Sequence, residues 1–292
     1  MRGIIVVNPF GFPGQSIKQA ERLSEEFNKL NVKVEIVKDG FLKNQLIGGN
    51  LSSELKGFDF AVFLDKDKYL SSILTKMGVR LFNTHEAIRV CDDKGDTYIA
   101  LSNNGIKMPD TIFAPLCYKE ESKVDENSLK VIAGKLGFPM IVKESYGSMG
   151  HGVHKVDNFE SLIELENKIK TKPHLFQKYY GEKVGTDIRA IVIGGKLLTA
   201  MERYNQNDFR SNIALGGKGK PITLSEEFKS VAEKSARILG LDYCGVDILY
   251  DDDNKPIVCE VNSNAFFEGI ESVTKVNVAL NYAKYIIEKI NE

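Results

Sequence analysis

The chain has 292 residues, 42% hydrophobic and 27% charged, with 39 Lys and Arg against 40 Asp and Glu. That composition excludes a disordered, collagenous or disulfide-stapled chain, and a net charge of −1 leaves no electrostatic footprint for nucleic acid or an anionic membrane. No apolar run approaches the ~18 residues of a membrane span, and the short run before Asn8-Pro9 suits a buried first strand better than a signal peptide.

Length alone suggests roughly two or three compact units. The cysteines Cys91, Cys117, Cys244 and Cys259 are scattered, with no Cys-x-x-Cys pair or zinc-like His spacing, so they are read as reduced thiols of a cytoplasmic protein.

Ile4–Val7 is an apolar strand followed by a glycine-bearing turn, Gly11, Pro13 and Gly14. The spacing is not G-x-G-x-x-G, which argues against a dinucleotide fingerprint. Ser16 is expected to cap a helix over Ile17–Leu30. Val32–Val37 and Phe60–Leu64 are expected as strands, Tyr69–Met77 as a helix ended by Gly78, and Val79–Phe82 as a strand. This βαβ rhythm predicts a small parallel sheet with flanking helices.

A helix over Gly95–Asn103 stops at Gly105, Pro109 opens an extended stretch to Ala114, and Asp125 caps a helix ending near Gly137. Met140–Glu144, Val153–Val156 and Leu175–Tyr179 follow as strands, with a helix over Phe159–Lys170. Ile188–Ile193 and Lys196–Met201 flank Gly194-Gly195, a two-residue hairpin signal. Glu226–Leu239 is an amphipathic helix, Tyr243–Tyr250 and Pro256–Asn262 form a second hairpin, and Asn277–Ile290 is a closing helix. The expected class is α+β with an α/β N-terminal unit, divided into 1–92, 93–184 and 185–292.

Gly147-Ser148-Met149-Gly150-His151-Gly152 lies between two strands. That excludes a P-loop, which opens a helix with Gly-Lys-Ser/Thr. A glycine-rich β-turn-β flap can cover nucleotide phosphates, because bare backbone N–H groups approach the oxygens closely. Lys143, on the strand leading in, is placed to reach a phosphate; the alternative is a hairpin tip with a surface lysine.

The second late hairpin turns between Asp253 and Asn254, so residues whose numbers sum to 507 are expected to face each other. Asp247 then faces Glu260, and Asn262 shares their side of the sheet. Two acids in apolar runs repel and resist desolvation, and a hard cation such as Mg²⁺ resolves both problems. The alternative is a solvated sheet face. Around Gly194-Gly195 the facing sum is 389, which sets Asp187 opposite Glu202 with Arg189 diagonal to it. Arg203 and the loop residues Arg210, Ser211 and Asn212 follow; an arginine there clamps a phosphate or carboxylate, or serves a structural ion pair.

In chain order stand Asp93-Lys94, Pro109-Asp110-Thr111, Lys143 with the glycine loop, Phe176-Gln177-Lys178-Tyr179, Asp187-Ile188-Arg189, Asp208-Phe209-Arg210-Ser211-Asn212, Gly245-Val246-Asp247, Glu260-Val261-Asn262 and Glu268-Gly269-Ile270-Glu271. Together these blocks resemble the ATP-grasp superfamily, and within it the RimK-type α-L-glutamate ligases, from about residue 80 to the end.

The resemblance implies a three-part ATP-grasp fold with ATP between the central and C-terminal units. It places Lys94, Lys143, Gly147, Ser148, Met149 and Gly150 at phosphates, Gln177, Lys178 and Tyr179 at the adenine, and Asp187, Arg189, Arg210 and Ser211 near the nucleotide. It assigns Asp247, Glu260 and Asn262 to Mg²⁺, with Mn²⁺ as the substitute, and Arg210 and Asn212 to catalysis. The implied reaction joins a carboxylate to an amine through an acyl phosphate, with L-glutamate or another amino acid added to a peptide, protein or small molecule. It also implies a homo-oligomer, with no nucleic-acid or membrane partner.

Two departures stand out. Relatives carry Ser-Pro-Gly near the Glu-x-Asn motif, whereas this chain has Ser263-Asn264-Ala265-Phe266-Phe267, and Met149 and His151 replace the usual Gln and small aliphatic residue. The first departure bears on the substrate rather than the reaction. The competing readings are a ligase for a carrier-protein-linked biosynthetic intermediate and a non-catalytic ATP-binding regulator; a dehydrogenase lacks its glycine fingerprint.

Overall fold

A computed structural model describes residues 2–10, 13–40, 44–181 and 183–292. The first sheet is parallel, in the order β2-β1-β5-β6, from β1 (Gly3–Val7), β2 (Val34–Lys38), β5 (Phe60–Leu64) and β6 (Arg80–Phe82). Strands β3 (Asn44–Ile47) and β4 (Asn50–Ser53) form a separate hairpin that alternation did not reveal. Both β1 and β5 are buried along their whole length, as strands covered by helices on two faces must be. Gly3 is required here, because a Cβ would lie 2.1 Å from the Phe60 ring.

Helix α1 (Pro13–Lys29) begins three residues before the expected Ser16 cap, so Ser16 lies inside it. Proline suits a first helical turn because its missing N–H needs no partner there. Gly11, part of the expected turn, lies outside the described residues. Helix α2 (Lys68–Lys76) is capped by Asp67, and α3 (His85–Asp92), which the sequence reading missed, by Thr84. Asp93 caps α4 (Lys94–Leu101), accepting from the Gly95 and Asp96 N–H groups.

The central sheet is antiparallel, β7-β10-β8-β9, from β7 (Thr111–Phe113), β8 (Met140–Glu144), β9 (Val153–Val156) and β10 (His174–Lys178). Helices α5 (Glu126–Leu136) and α6 (Phe159–Ile169) cover one face, with Leu129 and Leu162 packed against Met140, Val142 and Phe176. Asp125 caps α5 and Gly137 ends it, as expected.

The C-terminal sheet is antiparallel, β13-β12-β11-β14-β15, from β11 (Thr186–Ile193), β12 (Lys196–Tyr204), β13 (Lys218–Pro221), β14 (Tyr243–Tyr250) and β15 (Pro256–Asn262). Helix α7 (Glu226–Ile238) covers one face, where α3 and α4 also pack through Ala87, Cys91 and Leu101. On the other face α8 (Glu268–Thr274) and α9 (Val278–Asn291) join β1, β5 and α1 in one core, with Tyr243 stacked on Tyr282. Buried Asn83, just after β6, donates to the Tyr243 and Ser263 carbonyls and accepts from the Tyr243 N–H, latching the first sheet to the last.

Both late hairpins contain a bulge. In β12 the pairing shifts after Val192↔Leu197 to Ile191↔Thr199, so Asp187 faces Arg203. The expectation that Asp187 faces Glu202 is therefore wrong by one residue, because Leu198 is an extra residue that flips everything beyond it. In β15, Tyr250↔Pro256 shows that the turn is centred on Asp253 itself. Cys259 is the extra residue there, and it restores Asp247↔Glu260. The expected pair forms through two one-residue displacements that cancel.

Candidate functional site

Between the central and C-terminal sheets lies a cleft roofed by the glycine flap. Lys94, Lys143, Gly147, Ser148, Gly150, Gln177, Lys178, Tyr179, Asp187, Arg210, Ser211 and Asn212 line it, with Asp247 and Glu260 on its floor. The structure thus brings most of the expected residues together. It places Met149, Arg189 and Asn262 elsewhere, on a second, larger cleft against the N-terminal unit. Arg189 is therefore not a lining group of the first cleft; its register partner is Asp247, to which its guanidinium is bound in bidentate fashion.

Apolar walls at one end, Ile141, Val153 and Leu249, can hold a flat ring. Gln177 itself is buried, its amide donating to Thr111 Oγ1 at 2.9 Å, so its side chain serves the sheet rather than the cleft. The other end is cationic. Lys94 is 7% exposed, 3.6 Å from Glu260, and donates to the Gly147 carbonyl at 3.1 Å. Burial, offset by Glu260 but reinforced by Lys143 and Lys66, lowers its pKa below the ordinary lysine value. Lys143, also buried, donates to the Tyr98 hydroxyl at 3.3 Å and faces the Cys259 sulfur at 3.5 Å. Burial raises the Cys259 thiol above its usual range. Two buried ammonium groups with one carboxylate near them form an anion site.

The flap is shaped by backbone geometry. Gly150 has φ +83°, and a Cβ there would stand 3.1 Å from Arg210 Cδ and Leu215 Cδ1. Arg210 donates to the Gly150 carbonyl at 2.9 Å and is clamped by Asp208 at 3.0 and 2.7 Å.

The floor corrects the electrostatic argument made from sequence. Asp247 is 4% exposed, yet it is not an uncompensated acid: Arg189 and Arg203 both pair with it, and Arg203 also binds Asp187 at 2.8 Å. Burial opposes the charge, but the two guanidinium groups hold the Asp247 carboxyl below the usual carboxylate range. Sequence reasoning left Arg203 without a named partner, because the Leu198 bulge that sets it opposite Asp187 is invisible in it; of the readings open to it, the structural ion pair is the one that forms. The donor set nevertheless fits a hard cation: Glu260 brings a carboxylate whose Oε1 lies 3.6 Å from Lys94, and the amide nitrogen of half-buried Asn262 has no partner, so no hydrogen bond is lost there when the amide turns its oxygen to a cation. No cluster of three His, Cys, Asp or Glu at metal-holding spacing occurs among the described residues.

The second cleft lies beyond the carboxyl ends of β1 and β5, where open parallel sheets take ligands. Its walls are Asn8, Asp65 and Lys66 at those strand ends, α1, and the stretch from Asn262 to Ser272. Ser148, Arg203, Asn212 and Glu260 line both clefts. A group bound in one meets a group bound in the other at those four side chains.

Comparison with known proteins settles the family. The RimK-like ATP-grasp domain matches residues 91–286. The chain belongs to the RimK-like ATP-grasp family. Human beta-citrylglutamate synthase B is 37% identical over 225 residues, 76% of this chain and 56% of that protein. The chain thus matches little more than half the length of that relative. A probable alpha-L-glutamate ligase of Maridesulfovibrio salexigens is 36% identical over 214 residues, 72% of this chain and 68% of that protein. In fold, the chain superposes on the D-alanine--D-alanine ligase of Bacillus anthracis, crystallised with ATP, at TM-score 0.77 and 20% identity, covering 99% and 97% of the two chains. It also matches the ATP-grasp ligase PsnB, solved with a precursor variant, Mg and ADP, at TM-score 0.71 and 16% identity over 99% and 98%. Among the described residues no helix is long and apolar enough to cross a membrane.

Proposed function

We propose that the chain is an ATP-dependent carboxylate–amine ligase that adds L-glutamate, or another amino acid, to a peptide, protein or small-molecule acceptor. The observation that carries this is the meeting of two clefts, one cationic and flap-covered, at Ser148, Arg203, Asn212 and Glu260. A phosphoryl donor and a second substrate can share a reaction point there without either leaving its own cleft. The relatives named for citrylglutamate synthesis and glutamate ligation support the same class.

Mg-ATP supplies the driving force: a carboxylate takes the γ-phosphoryl group to give an acyl phosphate and ADP, and an amine then displaces phosphate. The chain supplies positioning and charge, which is most of what such a transfer asks of a protein. Lys94 and Lys143 hold phosphate oxygens under the Gly147–Gly152 flap, and the backbone of Gln177–Tyr179 meets the base. Asp247, Glu260 and Asn262 would hold Mg²⁺ (Mn²⁺ would suit the same donors), with Arg189 and Arg203 fixing the Asp247 carboxylate in place. Arg210, held rigid by Asp208, faces charge developing on the transferred group, and Asn212 stands between the clefts. The three-unit division, 1–92, 93–184 and 185–292, is supported by each main sheet forming within one segment.

The test is ADP release with Mg-ATP across amino acids, alone and paired with acceptors, for the wild type and Glu260→Gln. Release that requires a particular pair, and disappears in Glu260→Gln while ADP binding persists, is the expected result. A nucleotide-binding chain with no substrate-dependent release refutes it.

A further inference from the structure

The second cleft holds a polar group that the reaction, as derived above, does not use. Gln19, on α1, is 5% exposed, and its amide oxygen Oε1 has no hydrogen-bond partner. Its amide nitrogen donates to the Ala265 carbonyl at 3.3 Å and lies 3.5 Å from Asn264 Oδ1. The amide cannot be turned over, because a carbonyl only accepts and Nε2 must face it. The Ala265 carbonyl is itself fixed by the Tyr243 hydroxyl at 2.7 Å. The unpartnered acceptor is therefore built in, and Gln19 and Asn264 both line the cleft. A buried acceptor without a donor is destabilising, so retaining one needs a reason.

We infer that Gln19 Oε1 is a recognition point for the amine substrate, accepting one of its N–H bonds. The inference rests on the ligase reading and names the substrate of its second cleft. An amine always carries an N–H, whereas a carboxylate group is an acceptor and would face Gln19 Oε1 oxygen to oxygen. A second acceptor stands at the same cleft: Asp65, at the end of β5, accepts from the Asn8 amide and the Lys66 N–H, which leaves lone pairs on its carboxylate. The groups Gln19 leans on, Asn264 and Ala265, lie within the stretch 263–267 where this chain departs from Ser-Pro-Gly. Recognition of the amine is thus carried by a pairing between α1 and that stretch.

Two variants test this. Gln19→Met keeps length and packing but removes the acceptor, together with the Nε2 donor to Ala265; Gln19→Glu keeps an acceptor, lacks the same donor and adds charge. With L-glutamate as the amine probe, its binding to the Mg-ADP form is measured by calorimetry, beside kcat and KM for amine and for Mg-ATP. Gln19→Met should weaken glutamate binding and raise its KM about tenfold, the usual cost of one lost hydrogen bond to a charged donor. The KM for Mg-ATP and the melting temperature should hold, and Gln19→Glu should recover part of the loss.

Unchanged glutamate binding in Gln19→Met, equal losses for Mg-ATP and the amine, or glutamate that fails to bind the wild type each overturn the inference. If the wild type binds glutamate through Gln19 but never releases ADP with any substrate pair, the ligase reading fails and the recognition role stands.

Discussion

The alternating chain Asp187–Arg203–Asp247–Arg189 makes Arg203 the most consequential single side chain under the nucleotide cleft. Arg203 is 4% exposed, with Asp187 at 7% and Asp247 at 4% beside it. Replacing it with methionine preserves much of the side-chain volume but strands the buried Asp187 carboxylate and leaves Asp247 with Arg189 alone. Removing one partner of a buried ion pair typically costs about 3–5 kcal/mol. Domains of this size lose roughly 2–4 °C of melting temperature per kcal/mol, so Arg203→Met should melt about 6–20 °C below the wild type at pH 7.

The deficit should narrow as the pH falls, because the penalty is one of uncompensated buried negative charge. Arg203→Lys should fall between the two, since an ammonium cannot reproduce the two-sided fork. Differential scanning calorimetry over pH 4.5 to 7.5, with the Arg203→Met/Asp187→Asn double variant, separates charge from packing: the double should recover part of the loss. An Arg203→Met protein melting within about 2 °C of the wild type would refute the assignment of Arg203 as the counter-charge of both acids.

Two further outcomes follow from local geometry. Gly150→Ala forces a left-handed conformation that costs an L-residue about 1–2 kcal/mol and places a methyl 3.1 Å from Arg210 Cδ; calorimetric ATP affinity should fall about tenfold and the melting temperature by about 2–8 °C, and unchanged affinity would mean the flap does not close on the nucleotide. Burial opposes the charged form of His174, but its contact with Glu166 at 3.0 Å and the Lys172 carbonyl prevail, so its pKa stands above the ordinary histidine value. A raised pKa gives stability that is complete below the unfolded value of about 6.5 and lost as pH rises through the folded one. The melting difference between wild type and His174→Gln should therefore be larger at pH 6 than at pH 9; a difference independent of pH would show that the pair contributes no charge.

Much of this protein was legible before its structure. Short apolar runs located β1, β5, β8 and β14, and Asp125 with Gly137 marked both ends of α5, because burial and capping are written in short local patterns. The flap announced itself through glycines that only a close backbone approach requires. The family resemblance supplied most of the residues that line the first cleft. What local pattern could not show was anything that depends on counting across a bulge. Two inserted residues, Leu198 and Cys259, decide which charges face each other, and one of them turns an acid–acid contact at Asp187 into a buried acid–arginine pair.

The sequence by itself determined the elements, the class and the set of charged side chains. Only the tertiary structure decided their pairing, the division of Met149, Arg189 and Asn262 from the nucleotide cleft, and the contact of Gln19 with a stretch of chain more than 240 residues away. The physical reason is that strand register and long-range packing are settled by the core as a whole, where a one-residue slip moves a side chain to the opposite face.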